Sequence, residues 1–140
     1  MTTLNKIGAD LAKLNGVIAM TDVTGFGLLG HLVEICEASK ISSEIYFEKV
    51  PLLPNVEKYR QLGCIPGGAR KNFMSYGSKI SEMTQQQREI LCDAQTSGGL
   101  LIMVQTRALD SFMELTKQNG LHLDAIGKTT LKANNVVEII

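Results

Sequence analysis

The chain has 140 residues, of which 44% are hydrophobic, and its 14 basic residues balance its 14 acidic residues. This length suits one compact domain, and the composition excludes an intrinsically disordered chain. The balanced charge gives no support for a nucleic-acid partner or for an anionic membrane, and the longest aliphatic run, 100–104, is too short to span a bilayer.

The N-terminal region predicts a helix followed by a strand. Apolar residues recur at helical spacing from Leu4 to Leu14, and Asn15 and Gly16 mark the end of that helix. Residues 17–20 are apolar at every position, which is typical of a strand that is covered on both faces. We therefore expect this strand to lie centrally in a sheet.

A second helix is predicted from Phe26 to Ala38. Its apolar residues form one broad stripe, which includes Cys36 and is expected to face the core. His31 falls on the opposite, polar side and has no second histidine at ligand spacing, so we expect it to be solvated.

The middle of the chain predicts shorter elements. Residues 43–47 alternate as a half-buried strand does, and 54–62 are expected to form a short helix that opens with proline. The breakers in 63–68 indicate a loop. Thr84 begins a capping box, Thr-x-x-Gln, which predicts a helix over 84–91.

The last third predicts a strand, a helix and two more strands. Residues 99–104 are again almost entirely apolar, so this strand too is expected to be central. Thr106 is expected to cap a helix that Gly120 ends, and 123–128 and 136–140 indicate strands. The alternation of helices and strands predicts an α/β (α+β) fold with a mixed β-sheet flanked by helices.

The three cysteines, Cys36, Cys64 and Cys92, are widely spaced and form no CxxC pair. They therefore predict neither a disulfide framework nor a zinc site. Residues 1–6 contain no apolar leader core, so we expect a reduced, cytoplasmic setting.

The most informative segment is 21–31, which we call the corner. Here an apolar strand leads to Asp22, and Thr24, Gly25 and Gly27 precede a helix. Backbone N–H groups at a helix start can face an anion, and the carboxylate can hold a hard cation against that anion. The spacing alone also fits a plain turn, in which the glycines satisfy backbone geometry and Asp22 is a helix-capping or turn residue.

A second candidate is the 93–99 loop. The hydroxyls of Thr96 and Ser97 and the amides of Gly98 and Gly99 can line an anion-binding concavity. The alternative is a tight turn in which the hydroxyls satisfy backbone groups.

A third candidate is the 66–72 segment, where Arg70 and Lys71 follow two glycines. These basic side chains can meet a phosphate or an acidic partner surface. A solvated basic turn explains the same pattern.

Together the three segments resemble selenophosphate synthetases (selenide, water dikinases). Residues 20–32, Met-Thr-Asp-Val-Thr-Gly-Phe-Gly-Leu-Leu-Gly-His-Leu, are similar to the signature of that family's second half. The 66–72 segment and residues 92–101 resemble two further blocks, in the family's order and at similar intervals. Phe26 and the following Leu-Leu-Gly-His favour this family over the related aminoimidazole ribonucleotide (AIR) synthetases.

The resemblance implies a Mg²⁺-dependent kinase-type transferase that converts ATP, selenide and water into selenophosphate, AMP and phosphate. Family members have two α/β domains, and residues 1–140 match only the C-terminal, AIR synthase-related one. The missing N-terminal domain, which carries the reactive Cys or selenocysteine and most nucleotide contacts, is then the expected partner. The chain alone is expected to be inactive, and a possible homodimer belongs to the full enzyme.

Asp22 is the functional residue that the resemblance carries over, as the metal-binding aspartate of the C-terminal domain. Thr24, Gly25 and Gly27 are implied to shape the corner, and the 93–99 loop is implied as part of the site without individual contacts. Two alternatives stay open. One is the C-terminal domain of another ATP-dependent enzyme of the superfamily, and the other is a non-catalytic domain that binds a phosphate ligand or a partner protein.

Overall fold

The computed structural model describes residues 4–140, and residues 1–3, the start of the segment inspected for a leader, lie outside the described residues. In chain order the elements are α1 (Gly8–Leu11), β1 (Val17–Asp22), α2 (Gly27–Ser39), β2 (Ser42–Ile45), α3 (Val56–Gln61), α4 (Gly67–Tyr76), α5 (Gln85–Leu91), β3 (Leu100–Val104), α6 (Leu109–Gln118), β4 (Gly127–Thr130) and β5 (Val137–Ile139). Within this described range, the helices are all too short or too polar to cross a bilayer.

The strands form two separate sheets. β1 and β3 pair antiparallel, and Asp22 at the end of β1 lies opposite Leu100 at the start of β3. β2 is the middle strand of the second sheet, where it runs antiparallel to β4 and parallel to β5. The mixed sheet and the flanking helices confirm the predicted α+β fold.

Helix α2 is central to the core. Its apolar stripe packs against both sheets and against α4 and α5. The fully buried side chains of the stripe are Leu29, Leu32 and Cys36. The predicted core position of Cys36 is therefore confirmed.

The expectation that the two apolar strands lie centrally is wrong. Among the described residues β1 and β3 pair only with each other, and Ile18 is 56% exposed. Leu101 on β3 is buried in the core, whereas the other residues of the pair are half-buried, apart from the exposed Ile18 and Asp22. Apolar composition shows that a residue can be buried, whereas sheet order depends on pairing partners distant in sequence.

The largest error concerns the glycines of 63–68, where the sequence predicts a loop. Gly67 and Gly68 form the first turn of α4, and Pro66, which precedes them in an extended conformation, is the N-cap residue. A first turn tolerates residues that would break a helix interior, because its N–H groups have no intrahelical partner. Glycines that are typical of a loop therefore also occur in the first turn of this helix.

Several boundaries also differ from the predictions. The helix expected over 4–14 is reduced to the single turn of α1, and the strand expected over 123–128 begins only at Gly127. Thr106 starts a 3-10 turn before α6 and makes no side-chain cap. The capping box at Thr84 is present, and Gly120 follows α6 in the left-handed conformation, as predicted.

Candidate functional site

The corner and the 93–99 loop lie side by side. The Val23 N–H donates to the Gly99 carbonyl at 2.9 Å, and the Gly98 N–H donates to the Val23 carbonyl at 3.0 Å. The Gln95 N–H donates to the Thr24 carbonyl at 2.9 Å. These bonds extend the pairing of β1 and β3 beyond Asp22 and make one unit of two segments that are far apart in sequence.

The 66–72 segment joins this unit through Asn72 rather than through its basic residues. The Asn72 side-chain amide donates to the Gly25 carbonyl at 2.8 Å and to the Cys92 carbonyl at 3.0 Å. Arg70 and Lys71 are exposed. All three candidate segments thus meet at one place, and the residue of the 66–72 segment that joins them is Asn72, which belongs to the family-like block, rather than Arg70 or Lys71.

Asp22 is exposed at the mouth of this unit. Its carboxylate makes no hydrogen bond or ion pair with any of the described residues. It does not cap α2, because the N-cap residue is Phe26 and no side chain caps that end. Both carboxylate oxygens are therefore available to a ligand. Within residues 4–140, no three His, Cys, Asp or Glu side chains are grouped as a metal site.

The glycines of the unit have different roles. Gly27 has φ +70°, and a Cβ there would lie 2.8 Å from the Asp93 carbonyl oxygen. A Cβ on Gly98 would lie 2.7 Å from the Val23 carbonyl oxygen. Both residues permit close approach of the two segments, whereas nothing lies within 4 Å of a Cβ on Gly25.

The expectation that His31 is solvated is wrong, because it is 8% exposed. Its Nε2 lies 3.1 Å from the backbone nitrogen of Thr24 and 3.2 Å from the Thr24 hydroxyl. The Phe26 ring packs at a centroid distance of 5.6 Å, and Nδ1 lies 3.4 Å from the Glu34 carboxylate. The turn before α2 folds back over the polar side of the helix and buries the imidazole there.

The 93–99 loop presents its two hydroxyl residues, Thr96 and Ser97, to solvent, and Ser97 has φ +57°. Asp93 is partly buried at its base. One carboxylate oxygen, Oδ2, accepts from the Gln95 side-chain amide at 3.1 Å. The other, Oδ1, is buried without a partner among the described residues, and burial raises the pKa of this carboxyl group. Nothing in the sequence pattern indicates this environment.

A cleft of about 560 Å³ is lined in part by the 93–99 loop. Its walls are mainly apolar and come from 50–56, 64–66 and the start of β3. The Arg60–Glu89 ion pair, at 2.9 Å, lies in its lining. Asp22 does not line this cleft, but Val23 and Leu28 of the corner do, so the cleft is directly adjacent to the corner.

The chain is similar to known proteins along its whole length. The family described as "AIR synthase related protein, C-terminal domain" matches residues 1–140. The chain is 73% identical over 140 residues to "Selenide, water dikinase" of Sulfurovum sp. (strain NBC37-1) and 64% identical over 140 residues to that of Sulfurimonas denitrificans. Each alignment covers 100% of this chain and 41% of the relative.

A relative of the same name from Photorhabdus laumondii is 54% identical over 128 residues, which is 91% of this chain and 37% of that protein. The chain therefore spans about two fifths of the length of the curated relatives it matches.

Proposed function

The chain belongs to the AIR synthase-related C-terminal domain family, and from this premise we propose that it is the C-terminal domain of a selenophosphate synthetase. The whole enzyme would make selenophosphate from selenide, ATP and water and release AMP and phosphate. The single observation that carries the proposal is the open Asp22 carboxylate, held where three family-like segments are hydrogen-bonded together. The 73% identity to a selenide, water dikinase supports the choice of enzyme.

In this proposal Asp22 provides one oxygen ligand for Mg²⁺. This cation prefers octahedral oxygen coordination, and one or two carboxylates, substrate phosphates and waters usually complete its shell. One carboxylate is a poor site by itself, so the remaining ligands come from ATP and from acids of an N-terminal domain. When bound, the cation offsets negative charge on the phosphate chain during phosphoryl transfer.

The backbone around Asp22 supports an anion next to the metal. Among the described residues the N–H groups of Gly25 and Phe26 have no hydrogen-bond partner, and they lie just before α2, where the helix dipole favours negative charge. We propose that Thr24 and Gly27 hold this turn in shape. Thr96, Ser97, Gly98 and Gly99 would border the same phosphate group from the other side.

The environments of the cysteines support a reactive residue that lies in another domain. Cys36 and Cys92 are buried, and burial raises the pKa of both thiols, which disfavours the reactive thiolate. Cys64 is exposed, with no activating partner among the described residues. We propose that an N-terminal domain brings the reactive residue, that any homodimer forms in the whole enzyme, and that the free thiols reflect a cytoplasmic location.

The substitution Asp22→Asn tests the proposed metal role. The protein to use is a fusion in which this chain replaces the matching part of the Sulfurovum relative. At limiting Mg²⁺ we expect selenide-dependent ATP cleavage to fall by about tenfold or more, because a charged oxygen ligand is lost. The free energy of unfolding should stay within about 0.5 kcal/mol of the parent, since the side chain is exposed.

The matched control is Asp124→Asn, which neutralises another exposed carboxylate outside the three segments. It should leave the Mg²⁺ dependence of the fusion unchanged. If Asp22→Asn instead lowers the free energy of unfolding by more than about 1 kcal/mol while the Mg²⁺ dependence of activity is unchanged, Asp22 is a structural residue and the proposed role is wrong.

A further inference from the structure

One backbone amide of the corner depends on a side chain. At Val23 both the N–H and the carbonyl are paired with the backbone of the 93–99 loop, and the Thr24 carbonyl accepts from Gln95 and Gly27. The Thr24 N–H is the exception, because its partner is His31 Nε2 at 3.1 Å. Thr24 is two residues beyond Asp22, so this bond acts at the point where the chain leaves β1 and turns toward α2.

The hydrogen bond also fixes the chemical form of His31. A backbone N–H only donates, so Nε2 must accept with its lone pair, and the ring proton is on Nδ1. Nδ1 faces the Glu34 carboxylate at 3.4 Å, which favours that proton position. The Phe26 ring, at 5.6 Å, covers the imidazole, and His31 is 8% exposed. The imidazole is therefore held in one orientation with one nitrogen committed to the turn.

We propose that His31 is a positioning residue for the corner. Through Nε2 it holds the Thr24 amide and so sets the direction in which Asp22 and the Gly25 amide face a ligand. Its bond to Thr24 also removes that amide from ligand binding and leaves the two that follow it. The inference rests on the proposed function for the identity of the ligand, while the hydrogen bond can be measured without any ligand.

Amide hydrogen exchange, measured by NMR, tests the bond directly. His31→Phe keeps an aromatic ring and removes the acceptor, so the Thr24 amide should exchange about fivefold faster, as expected for loss of one hydrogen bond. His31→Gln should restore most of the protection, because its side-chain oxygen is the same number of bonds from Cα as Nε2. In the parent protein, the ¹⁵N resonance of Nε2 should be that of an unprotonated acceptor.

Val33→Ala is the matched control for general destabilisation. Val33 is 3% exposed and also lies on α2, but it makes no hydrogen bond to the turn. It should speed exchange throughout the core, including the Ile45 amide, without a selective effect on Thr24. The proposal is overturned if Thr24 exchange is unchanged in His31→Phe, if Val33→Ala has the same selective effect, or if Nε2 carries the proton.

The consequence for the ligand is measured in the fusion with the Sulfurovum relative. His31→Phe should raise the Mg²⁺ concentration for half-maximal activity by about fivefold, and His31→Gln should return it toward the parent value. An effect of Asp22→Asn without any effect of His31→Phe overturns the positioning role alone. No effect of either substitution on Mg²⁺ dependence overturns the proposed function and, with it, the role of His31 toward the metal.

Discussion

Two aspartates near the site lie in opposite environments. Asp22 ends a strand with both oxygens open to solvent, whereas Asp93 has one oxygen bonded to Gln95 and the other buried without a partner among the described residues. An open carboxylate can exchange water for a cation at little cost, but a buried and unpartnered one penalises its own charge. The two environments therefore support the ligand-binding role proposed for Asp22, and they indicate that a charged Asp93 lowers the stability of the folded state.

Asp93→Asn should stabilise the protein at neutral pH. Burial raises the pKa of Asp93 above its unfolded value, so the folded state binds the proton more tightly than the unfolded state does. The stabilisation from the protonated form is complete below the unfolded pKa, about 3.9, and is lost as the pH rises through the raised folded pKa. The amide is neutral throughout, so the variant should have the higher Tm at pH 7, and this gain should shrink at pH 3.

Thermal unfolding followed by circular dichroism between pH 3 and pH 7 measures this difference, and Asp110→Asn, an exposed carboxylate, is the control. A lower Tm for Asp93→Asn at pH 7, or a gain of equal size at both pH values, would contradict the assignment. Gln95 can still donate to the amide oxygen that the substitution introduces, so the bonded half of the group is preserved.

At the scale of elements, the site depends on how closely the corner approaches the 93–99 loop. The segments are joined backbone to backbone, and Asn72 on α4 bonds to the carbonyls of both Gly25 and Cys92. Such an arrangement leaves no room for a side chain on the facing surface of the turn. We therefore predict opposite effects on stability when alanine replaces each of the two glycines that flank Phe26.

Gly27→Ala should destabilise the protein, whereas Gly25→Ala should not. At Gly27 the backbone is left-handed and the added Cβ meets the Asp93 carbonyl oxygen at 2.8 Å, which is a backbone atom and cannot rotate away. Left-handed strain together with this clash should cost about 2 kcal/mol or more. At Gly25 the space is open and φ is outside the left-handed region, so the change should stay within about 1 kcal/mol and can stabilise.

Urea unfolding of the two variants measures both values with the same reference. If Gly25→Ala and Gly27→Ala lower the free energy of unfolding by similar amounts, the close approach of the loop does not restrict which side chains this turn accepts. A loss confined to Gly27→Ala should also be accompanied by faster amide exchange in the 93–99 loop, because that loop must move to relieve the contact.

The elements that follow local rules can be predicted from the sequence, and those that depend on distant partners cannot. The apolar stripe of α2 and the capping box at Thr84 are local patterns, and both are present. The pairing of β1 with β3 alone and the helical start at Gly67 depend on surroundings that no short window contains. In the same way, the three site segments can be identified singly, but Asn72 bonds to Gly25 only when two of those segments meet, and His31 contacts Thr24 only when the turn folds back onto α2.

At the scale of the whole molecule, α2 connects the two sheets, and the corner lies where β1 ends and α2 begins. Among residues 4–140, the surface there offers the open Asp22 carboxylate and the unpaired amides of Gly25 and Phe26, while two of the three thiols are buried. Phosphoryl transfer needs several positioned charges around the phosphate chain, and magnesium needs more oxygen ligands than this surface provides. The chain spans 41% of the Sulfurovum relative, which is consistent with a site completed by another domain.

Activity of the isolated chain distinguishes a site that needs a second domain from a self-sufficient enzyme. The chain alone should show no selenide-dependent release of AMP from ATP, whereas the fusion with the rest of the Sulfurovum relative should be active. One reason is that a single carboxylate is a poor Mg²⁺ site. The other is that burial raises the pKa of the Cys36 and Cys92 thiols and so disfavours their reactive thiolate forms. Assays at equal protein concentration, with the Asp22→Asn fusion as a control, measure the difference. Turnover by the isolated chain would refute the division between two domains, and a well-folded but inactive fusion would favour a domain that only binds a phosphate ligand or a partner protein.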